Sequence, residues 1–270
     1  MNGRVLVVAG SDSGGGAGIQ ADIKTVTALG GFAATAVTAL TAQNTLGVFG
    51  VVPVDASFVR QQIDVVLADI GADCVKTGML VSAAVIETLA DALDASAPDI
   101  PLVVDPVMLS SSGERLLDRE AVDTLKRRLI ARATVVTPNL AEAEALTGLA
   151  VRDIEDMRRA ADRLLTLGVK VAVVKGGHLD GDTVHDLVAT ESGGYMLSSP
   201  RIETRHTHGT GCTLASAIAT GLAQGMSLRP AVTRARRYLI EALSSAPGYG
   251  QGHGPLDHAH TVRLEEWGAG

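Results

Sequence analysis

Short apolar runs, each ending at a glycine-rich or polar turn and each followed by a helical stripe, recur along this chain and leave it little choice of fold. Residues 4–10, Arg4-Val5-Leu6-Val7-Val8-Ala9-Gly10, form a continuous β-branched run of strand length rather than helix length. Similar runs return at 32–39, 47–54, 73–79, 102–105, 133–136 and 169–175. Between them lie residues at helical spacing: Ile19, Ile23 and Val26; then Val59, Ile63, Val66, Leu67 and Ile70. Further helices are expected over 82–94, around Val122, Leu125 and Leu129, from a cap at Asp153 to residue 167, and over 228–245. Strands that are apolar on both faces and alternate with helices build a parallel sheet covered on either side. The expected fold is therefore α/β, with a mostly parallel central sheet. Residues 183–190 and 194–198, joined by Glu191-Ser192-Gly193, read instead as an antiparallel hairpin.

Composition narrows this further. At 270 residues the chain can bury roughly three quarters of its unfolded surface as one large unit. No linker or compositional break divides it, so a single domain over 1–270 is expected, with an irregular tail from about 246. Apolar residues at 46% and charged residues at 20% exclude a disordered chain. Aromatics are only 3%, so Val, Leu, Ile and Ala must fill the core. A net charge of −7 gives no basic surplus to meet phosphates, which argues against nucleic acid as a partner. Cys74 and Cys212 are far apart and form no CxxC pair, so neither a disulfide framework nor a zinc site is indicated. No apolar run approaches the ~20 residues of a membrane span, and the first residues do not resemble a secretory leader. The expectation is a cytoplasmic enzyme with no membrane partner.

The chemistry gathers where strands end, which is where open α/β sheets bind ligands. Asp105 precedes Pro106; Asn139 and Glu142 follow the run at 133–136; Lys175 leads into Gly176-Gly177-His178. Asp and Glu are hard oxygen ligands for Mg²⁺, and lysine is a point charge for a phosphate oxygen. The fourth strand end is His206-Thr207-His208-Gly209-Thr210-Gly211-Cys212-Thr213, which runs straight into an apolar helix. Gly209 and Gly211 let the backbone turn tightly, so that its N–H groups and those of the first helical turn form an oxyanion cradle. A thiol at Cys212 feels the positive end of the helix dipole. The same residues also fit a plain glycine turn with Cys212 as a small buried hydrophobe, and His178 also fits a merely solvated side chain. Together the four strand ends point to phosphoryl transfer.

The first strand also ends in a small-residue loop, Ser11-Asp12-Ser13-Gly14-Gly15-Gly16-Ala17-Gly18. Its glycine spacing is not G-x-G-x-x-G, and the run at 32–39 ends in Leu40-Thr41-Ala42-Gln43-Asn44 with no acid to hold a ribose, which argues against the rival reading of a dinucleotide-dependent dehydrogenase. No Walker A sequence is present either. Small residues at a strand's carboxyl end let a ligand approach the backbone. Ser110-Ser111-Ser112-Gly113 reads as a mobile loop.

In order along the chain, Gly10-Ser11-Asp12, Gly15 to Asp22, Thr38 to Asn44, Lys76-Thr77-Gly78-Met79, Asp105-Pro106-Val107-Met108, Thr137-Pro138-Asn139 with Glu142, Lys175 to His178, His208 to Thr213 and Gly254 to His258 resemble the hydroxymethylpyrimidine/phosphomethylpyrimidine kinases of thiamine biosynthesis. The resemblance covers residues 5–258, and Ser13-Gly14 departs from it where the family often has Pro-Ser. It implies a ribokinase-like three-layer α/β/α sandwich. It also implies ATP- and Mg²⁺-dependent phosphorylation of 4-amino-5-hydroxymethyl-2-methylpyrimidine to the monophosphate and then the diphosphate. Pyridoxal kinase of the same superfamily is the alternative.

By that resemblance Gln43 reads the aminopyrimidine edge, since one amide both donates and accepts. Gly10, Ala17, Asp22, Met79 and Val107 would complete the substrate pocket. Asn139, Lys175, Thr207, Gly209 and Gly211 would hold the nucleotide, and Asp105 and Glu142 the metal. Cys212, with Lys175, Gly209, Thr210 and Gly211, would form the catalytic centre, the cysteine standing where ribokinase relatives have an aspartate base. A homodimer is implied as well. For His253, His258 and His260 a metal site is conceivable, but a flexible tail near the nucleotide is the preferred reading.

Overall fold

The computed structural model describes residues 1–110, 113–118 and 120–262. Its strands are β1 (Arg4–Asp12), β2 (Phe32–Asn44), β3 (Gly47–Pro53), β4 (Cys74–Thr77), β5 (Leu102–Val104), β6 (Val135–Val136), β7 (Val171–Lys175), β8 (Thr183–Thr190) and β9 (Gly193–Pro200). Its helices are α1 (Gly18–Ala28), α2 (Ala56–Asp69), α3 (Ala83–Ser96), α4 (Ala121–Arg128), α5 (Leu140–Thr147), α6 (Ile154–Leu165), α7 (Thr210–Ala223) and α8 (Leu228–Ser244). Among the described residues the strands form one sheet in the order β3-β2-β1-β4-β5-β6-β7-β8-β9. Every neighbouring pair from β2 to β7 is parallel, while β3, β8 and β9 join antiparallel at the two edges.

Alternation along the strands divides the core in two. Leu6 and Val8 of β1, with Val75, Val104, Val136 and Val174, pack against α2 to α6. Val5, Val7 and Ala9, with Cys74, Val103, Val135 and Val173, face α1, α7 and α8. The result is a three-layer α/β/α sandwich of aliphatic side chains, as the scarcity of aromatics requires. No helix among the described residues is long and apolar enough to cross a membrane.

The structure departs from the sequence expectations in four places. In α1, Ile23 is exposed, and the buried face is built from Ala21, Asp22, Thr25 and Val26. Polar residues hold that face because Asp22 and Thr25 find partners inside: Lys76 and Ser216 for the one, the Ala21 carbonyl for the other. Second, β2 continues through Gln43 and Asn44, with β3 supplying antiparallel partners for its far half. Third, α5 was not foreseen, although Asn139-x-x-Glu142 closes a capping box at its start.

Fourth, the C-terminal segment carries little regular structure but is tied down. The Asp257 amide donates to the Ala242 carbonyl, and buried His258 lies 3.1 Å from the Tyr238 hydroxyl. The expectation of a flexible tail is therefore corrected for His258, whose burial pushes its pKa down to about 4. Of the expected mobile loop, Ser111 and Ser112 lie outside the described residues.

One buried ion pair fixes the strand end that presents Lys175. Arg236 of α8 donates through Nε to Asp186 Oδ2 at 2.8 Å, and Asp186 Oδ1 accepts from the Gly176 amide at 3.0 Å. Removing one partner of such a pair leaves an uncompensated buried charge, at a cost of about 3–5 kcal/mol. Arg236→Met is expected to lower the urea midpoint accordingly. Arg4→Met, which breaks the surface pair with Asp73, should change the midpoint little, and the two denaturation curves compared side by side check this.

Candidate active site

The carboxyl ends of β1, β2, β4, β5, β6 and β7 lie along one edge of the sheet, and two glycine turns meet above them. Gly16 and Gly209 touch so closely that a Cβ on Gly209 would fall 1.9 Å from the Gly16 carbonyl oxygen, and Gly209 itself sits at φ +87°. A Cβ on Gly18 would likewise meet the Gly10 carbonyl at 2.4 Å. Backbone packs directly on backbone here, which only glycine permits.

A carboxylate holds the first turn. Asp12, almost fully buried, accepts from the Gly14 amide at 2.8 Å, from Gly16 at 3.0 Å and from Ala17 at 2.8 Å. His208 of the second turn reaches the same carboxylate, Nε2 to Oδ2, at 2.8 Å. Burial works against the Asp12 charge, but the His208 contact and the Ala17 and Gly14 amides outweigh it and keep its pKa below the ordinary value. His208 Nε2 also lies 3.3 Å from Gln43 Nε2, while the Thr41 hydroxyl donates to Gln43 Oε1 at 3.2 Å. Because that His208 nitrogen donates to Asp12 it cannot also accept from the Gln43 amino group, so Gln43 is held through its carbonyl end by Thr41.

Of the other residues expected to surround a substrate, Gly10 and Met79 are in contact. A Cβ on Gly10 would lie 3.0 Å from the Met79 sulfur, and Thr38 donates to the Met79 carbonyl at 2.6 Å. Ala17, in the loop after β1, and Val107, after β5, are partly exposed, with β4 between those two strands. Asp22 is fully buried beneath them, its Oδ1 accepting from Lys76 Nζ at 2.8 Å and from the Ser216 hydroxyl at 2.7 Å.

The residues expected to meet phosphate and metal converge on Lys175. Its Nζ lies 3.3 Å from Asp105 Oδ1 and 4.0 Å from Glu142 Oε2. Burial would lower the Lys175 pKa, but Asp105, Glu142 and the Cys212 side chain hold it above its usual value. Glu142 Oε2 accepts from the Asn139 amide at 2.8 Å, and Asn139 Oδ1 accepts from the Glu142 amide at 2.9 Å. The capping box that starts α5 therefore also aims the Glu142 carboxylate. Burial pushes Glu142 up to about 7, with the Asp105 charge adding to the effect against the attraction of Lys175. Two buried carboxylates share one ammonium, a donor set with acceptor charge to spare for a hard cation. Among the described residues no group of three or more His, Cys, Asp or Glu side chains is placed to hold a metal alone. These two carboxylates would therefore share a cation with phosphate oxygens or water.

The cradle itself is the start of α7. Gly209 caps the helix without a side-chain hydrogen bond, and the amides of Gly211 and Cys212 fall in the first turn, where no intrahelical acceptor exists. A Cβ on Gly211 would lie 3.2 Å from Lys175 Nζ and 3.5 Å from Asp105 Oδ2, so cradle, cation and carboxylate occupy one spot. The Thr210 amide donates to the Thr207 carbonyl at 3.3 Å, at the entry to the turn. Burial pushes the Cys212 thiol up to about 12; Lys76 opposes this, Asp22 and Asp105 reinforce it, and the Gly18 amide bonds to the sulfur. The helix N-terminus alone therefore does not make Cys212 a resting thiolate.

The sequence reading left Asp12, Lys76, His208 and Ser216 without roles. Asp12 carried a usable signal, an acid at a strand end just before clustered glycines. Lys76, a lysine inside an apolar strand, carried another. His253 and His178 are exposed, and neither joins the site.

Comparison with known proteins fits this geometry. The phosphomethylpyrimidine kinase family profile matches residues 12–257, and the chain belongs to that family. It is 53% identical over 257 residues to the thiamine biosynthesis bifunctional protein ThiED of Geobacter sulfurreducens, covering 95% of this chain but only 52% of that protein, so the chain spans about half its length. It is 51% identical over 254 residues to the hydroxymethylpyrimidine/phosphomethylpyrimidine kinase of Streptomyces coelicolor, covering 94% of this chain and 93% of that one. The pyridoxal kinase of Staphylococcus aureus, solved with AMP-PCP and pyridoxal, superimposes with a TM-score of 0.89 at 34% identity over 98% of this chain and 96% of that one. The fold is thus ribokinase-like, and the enzyme is a kinase.

The Asp12 clasp yields a direct test. Asn at position 12 would turn one acceptor into a donor facing backbone amides, at a cost of about 2 kcal/mol. The folded Asp12 has a lowered pKa, so its contribution is present above the unfolded value and lost as pH falls through the folded one. The stability gap between parent and Asp12→Asn, read from urea melts, should be full at neutral pH and narrow below about pH 4.

Proposed function

We propose that this chain transfers the γ-phosphoryl group of ATP to the hydroxymethyl group of 4-amino-5-hydroxymethyl-2-methylpyrimidine, and then phosphorylates the monophosphate to the diphosphate. The observation that carries the reading is the convergence of Lys175, Asp105 and the Gly209–Cys212 turn at one point. A phosphoryl group in transfer spreads charge over its equatorial oxygens and needs positioning and counter-charge more than covalent help. The first-turn amides of α7 supply donors on one side and Lys175 a cation on the other.

Asp105 and Glu142 would hold Mg²⁺, which when bound draws off phosphate charge. Asn139, Thr207, Gly209 and Gly211 would line the nucleotide phosphates beside Lys175. Cys212, as its thiolate, would take the proton of the attacking hydroxyl: the O–H bond breaks, an S–H bond forms, the oxygen's electron pair bonds the γ-phosphorus, and the bond from that phosphorus to the bridging oxygen breaks with its electron pair leaving on ADP. Gln43, held by Thr41 and beside His208, would read the ring nitrogen and amino group, with Gly10, Ala17, Met79 and Val107 against the ring faces.

A homodimer fits the outer edge of the sheet, where Phe49, Val52 and Leu46 are exposed. Two free thiols suit a cytoplasmic location. The structural likeness to a pyridoxal kinase keeps pyridoxal as a second acceptor to test by substrate competition.

Three measurements bear on this reading. With excess ATP and the pyrimidine alcohol, the diphosphate should accumulate after the monophosphate; a reaction that stops at the monophosphate overturns the two-step assignment. Cys212→Ala should lower kcat by about 100-fold or more while ATP binding stays near normal, and the parent kcat should climb between about pH 7 and 9 as the thiolate fraction grows. Gln43→Leu should raise the pyrimidine KM at least about tenfold and leave background ATP hydrolysis intact, which parallel assays with and without the pyrimidine resolve.

A further inference from the structure

Residues 248–257 belong to no strand or helix, yet they are fastened to three other parts of the chain. First, the His253 amide donates to the Thr45 carbonyl at 2.8 Å and the Gly252 amide to the Thr45 hydroxyl at 3.3 Å. Thr45 lies in the turn after β2, two residues beyond Gln43. Second, the His208 amide donates to the Gly254 carbonyl at 3.1 Å, and Pro255 pairs with His208 as an isolated parallel bridge. Pro255 also closes on the first glycine loop, its Cβ 3.2 Å from where a Cβ on Gly16 would stand. Third, the segment is pinned from below. Leu256 is buried, and the Asp257 amide donates to the Ala242 carbonyl at 2.9 Å. Buried His258 follows, its Nδ1 3.1 Å from the Tyr238 hydroxyl of α8 and 3.4 Å from the Thr25 hydroxyl of α1.

Glycine recurs at 250, 252 and 254, and each time another loop stands where the side chain would be. A Cβ would fall 2.3 Å from the Thr45 hydroxyl oxygen at Gly250, 2.1 Å from the Thr45 carbonyl oxygen at Gly252 and 2.2 Å from His206 Nδ1 at Gly254. Gly252 and Gly254 do not have positive φ, so it is the neighbour and not the backbone that excludes a side chain there. The two loops joined in this way are the one that follows Gln43 and the one that leads into the Gly209–Cys212 cradle.

We propose that residues 249–258 are a positioning strap for the acceptor, with Gly252 and Gly254 as its contacts and His258 as its anchor. The strap fixes the gap between the Thr45 turn and the His208 turn, and with it the distance from Gln43 to the cradle. An acceptor held at Gln43 must span that distance for its hydroxyl to reach the phosphoryl group. A shift of about 1 Å there is enough to cost on the order of 100-fold in rate. The strap acts through the two loops and not on the reacting atoms. This rests on the reading of Gln43 as the side chain that reads the pyrimidine.

Pyrimidine phosphorylation and background ATP hydrolysis, measured side by side in Gly252→Ala, His258→Ala and His258→Asn, test this. In Gly252→Ala a methyl group wedges the strap off the Thr45 carbonyl at a position that belongs to neither core cluster. Gly252→Ala and His258→Ala should each raise the pyrimidine KM about tenfold and lower the ratio of transfer to hydrolysis at least as much, with the ATP KM within about twofold of the parent. His258→Asn, whose amide can stand where Nδ1 does, should recover most of that ratio. If His258→Ala does not fold, Gly252→Ala decides alone. Transfer and hydrolysis falling in proportion overturn the proposal, since that is what a general loss of structure produces. A parent-like ratio in Gly252→Ala beside a raised pyrimidine KM in Gln43→Leu overturns the strap alone. A lowered ratio in the strap variants beside an unchanged KM in Gln43→Leu supports the strap and overturns the Gln43 reading alone.

Discussion

The functional edge of this molecule depends on one carboxylate. Asp12 gathers three backbone amides of its own glycine loop and the imidazole of His208 from the other end of the chain. Beside it, the two glycine turns meet as backbone against backbone, with the Gly18 amide on the Cys212 sulfur as a further polar contact. His208, on that same carboxylate, also lies beside Gln43. Loop shape is thus set by a single charge that is buried but fully supplied with donors, the condition under which burying a charge is affordable.

Charge is arranged in layers beneath that edge. Lys175, Asp105 and Glu142 form an upper group open to a ligand, and Lys76 with Asp22 a lower group sealed from it. The upper group sets two carboxylates against one ammonium, and burial, with the Asp105 charge behind it, pushes the Glu142 pKa up. The lower group is balanced and immobile. Cys212 lies between the two and feels both. A thiol in that position responds to the protein's fixed field from one side and to whatever the ligand brings from the other.

Most of the fold was legible because valine-rich strands and helical stripes repeat with the right periods, and only the parallel sandwich satisfies them all. The strand ends that carry Asp105 and Lys175 were legible for the same reason: a strand's end fixes where its next residue lies. The Gly209–Cys212 turn, read as a fourth strand end, instead follows β9 only after residues 201–209, which belong to no strand. What escaped were contacts between residues distant in sequence. Asp22 read as a pocket residue, because nothing local marks Lys76 and Ser216 as its partners across the core. Ile23 read as core because its spacing was right, yet α1 turns its polar side inward to meet those partners. Helix α5 hid because its sequence, Leu-Ala-Glu-Ala-Glu-Ala-Leu-Thr, is short and carries only a weak stripe, although its capping box was present in the letters.

The Asp12–His208 contact joins residues 196 positions apart, and its consequence belongs to the order in which the chain is made. At about 5–20 residues per second, the glycine loop emerges on the order of 10–40 s before the histidine that completes it. During that interval β1 and β2 can already pair, but the loop's carboxylate has only its own amides for company. The clasp between the two glycine turns therefore cannot close until most of the chain has left the ribosome.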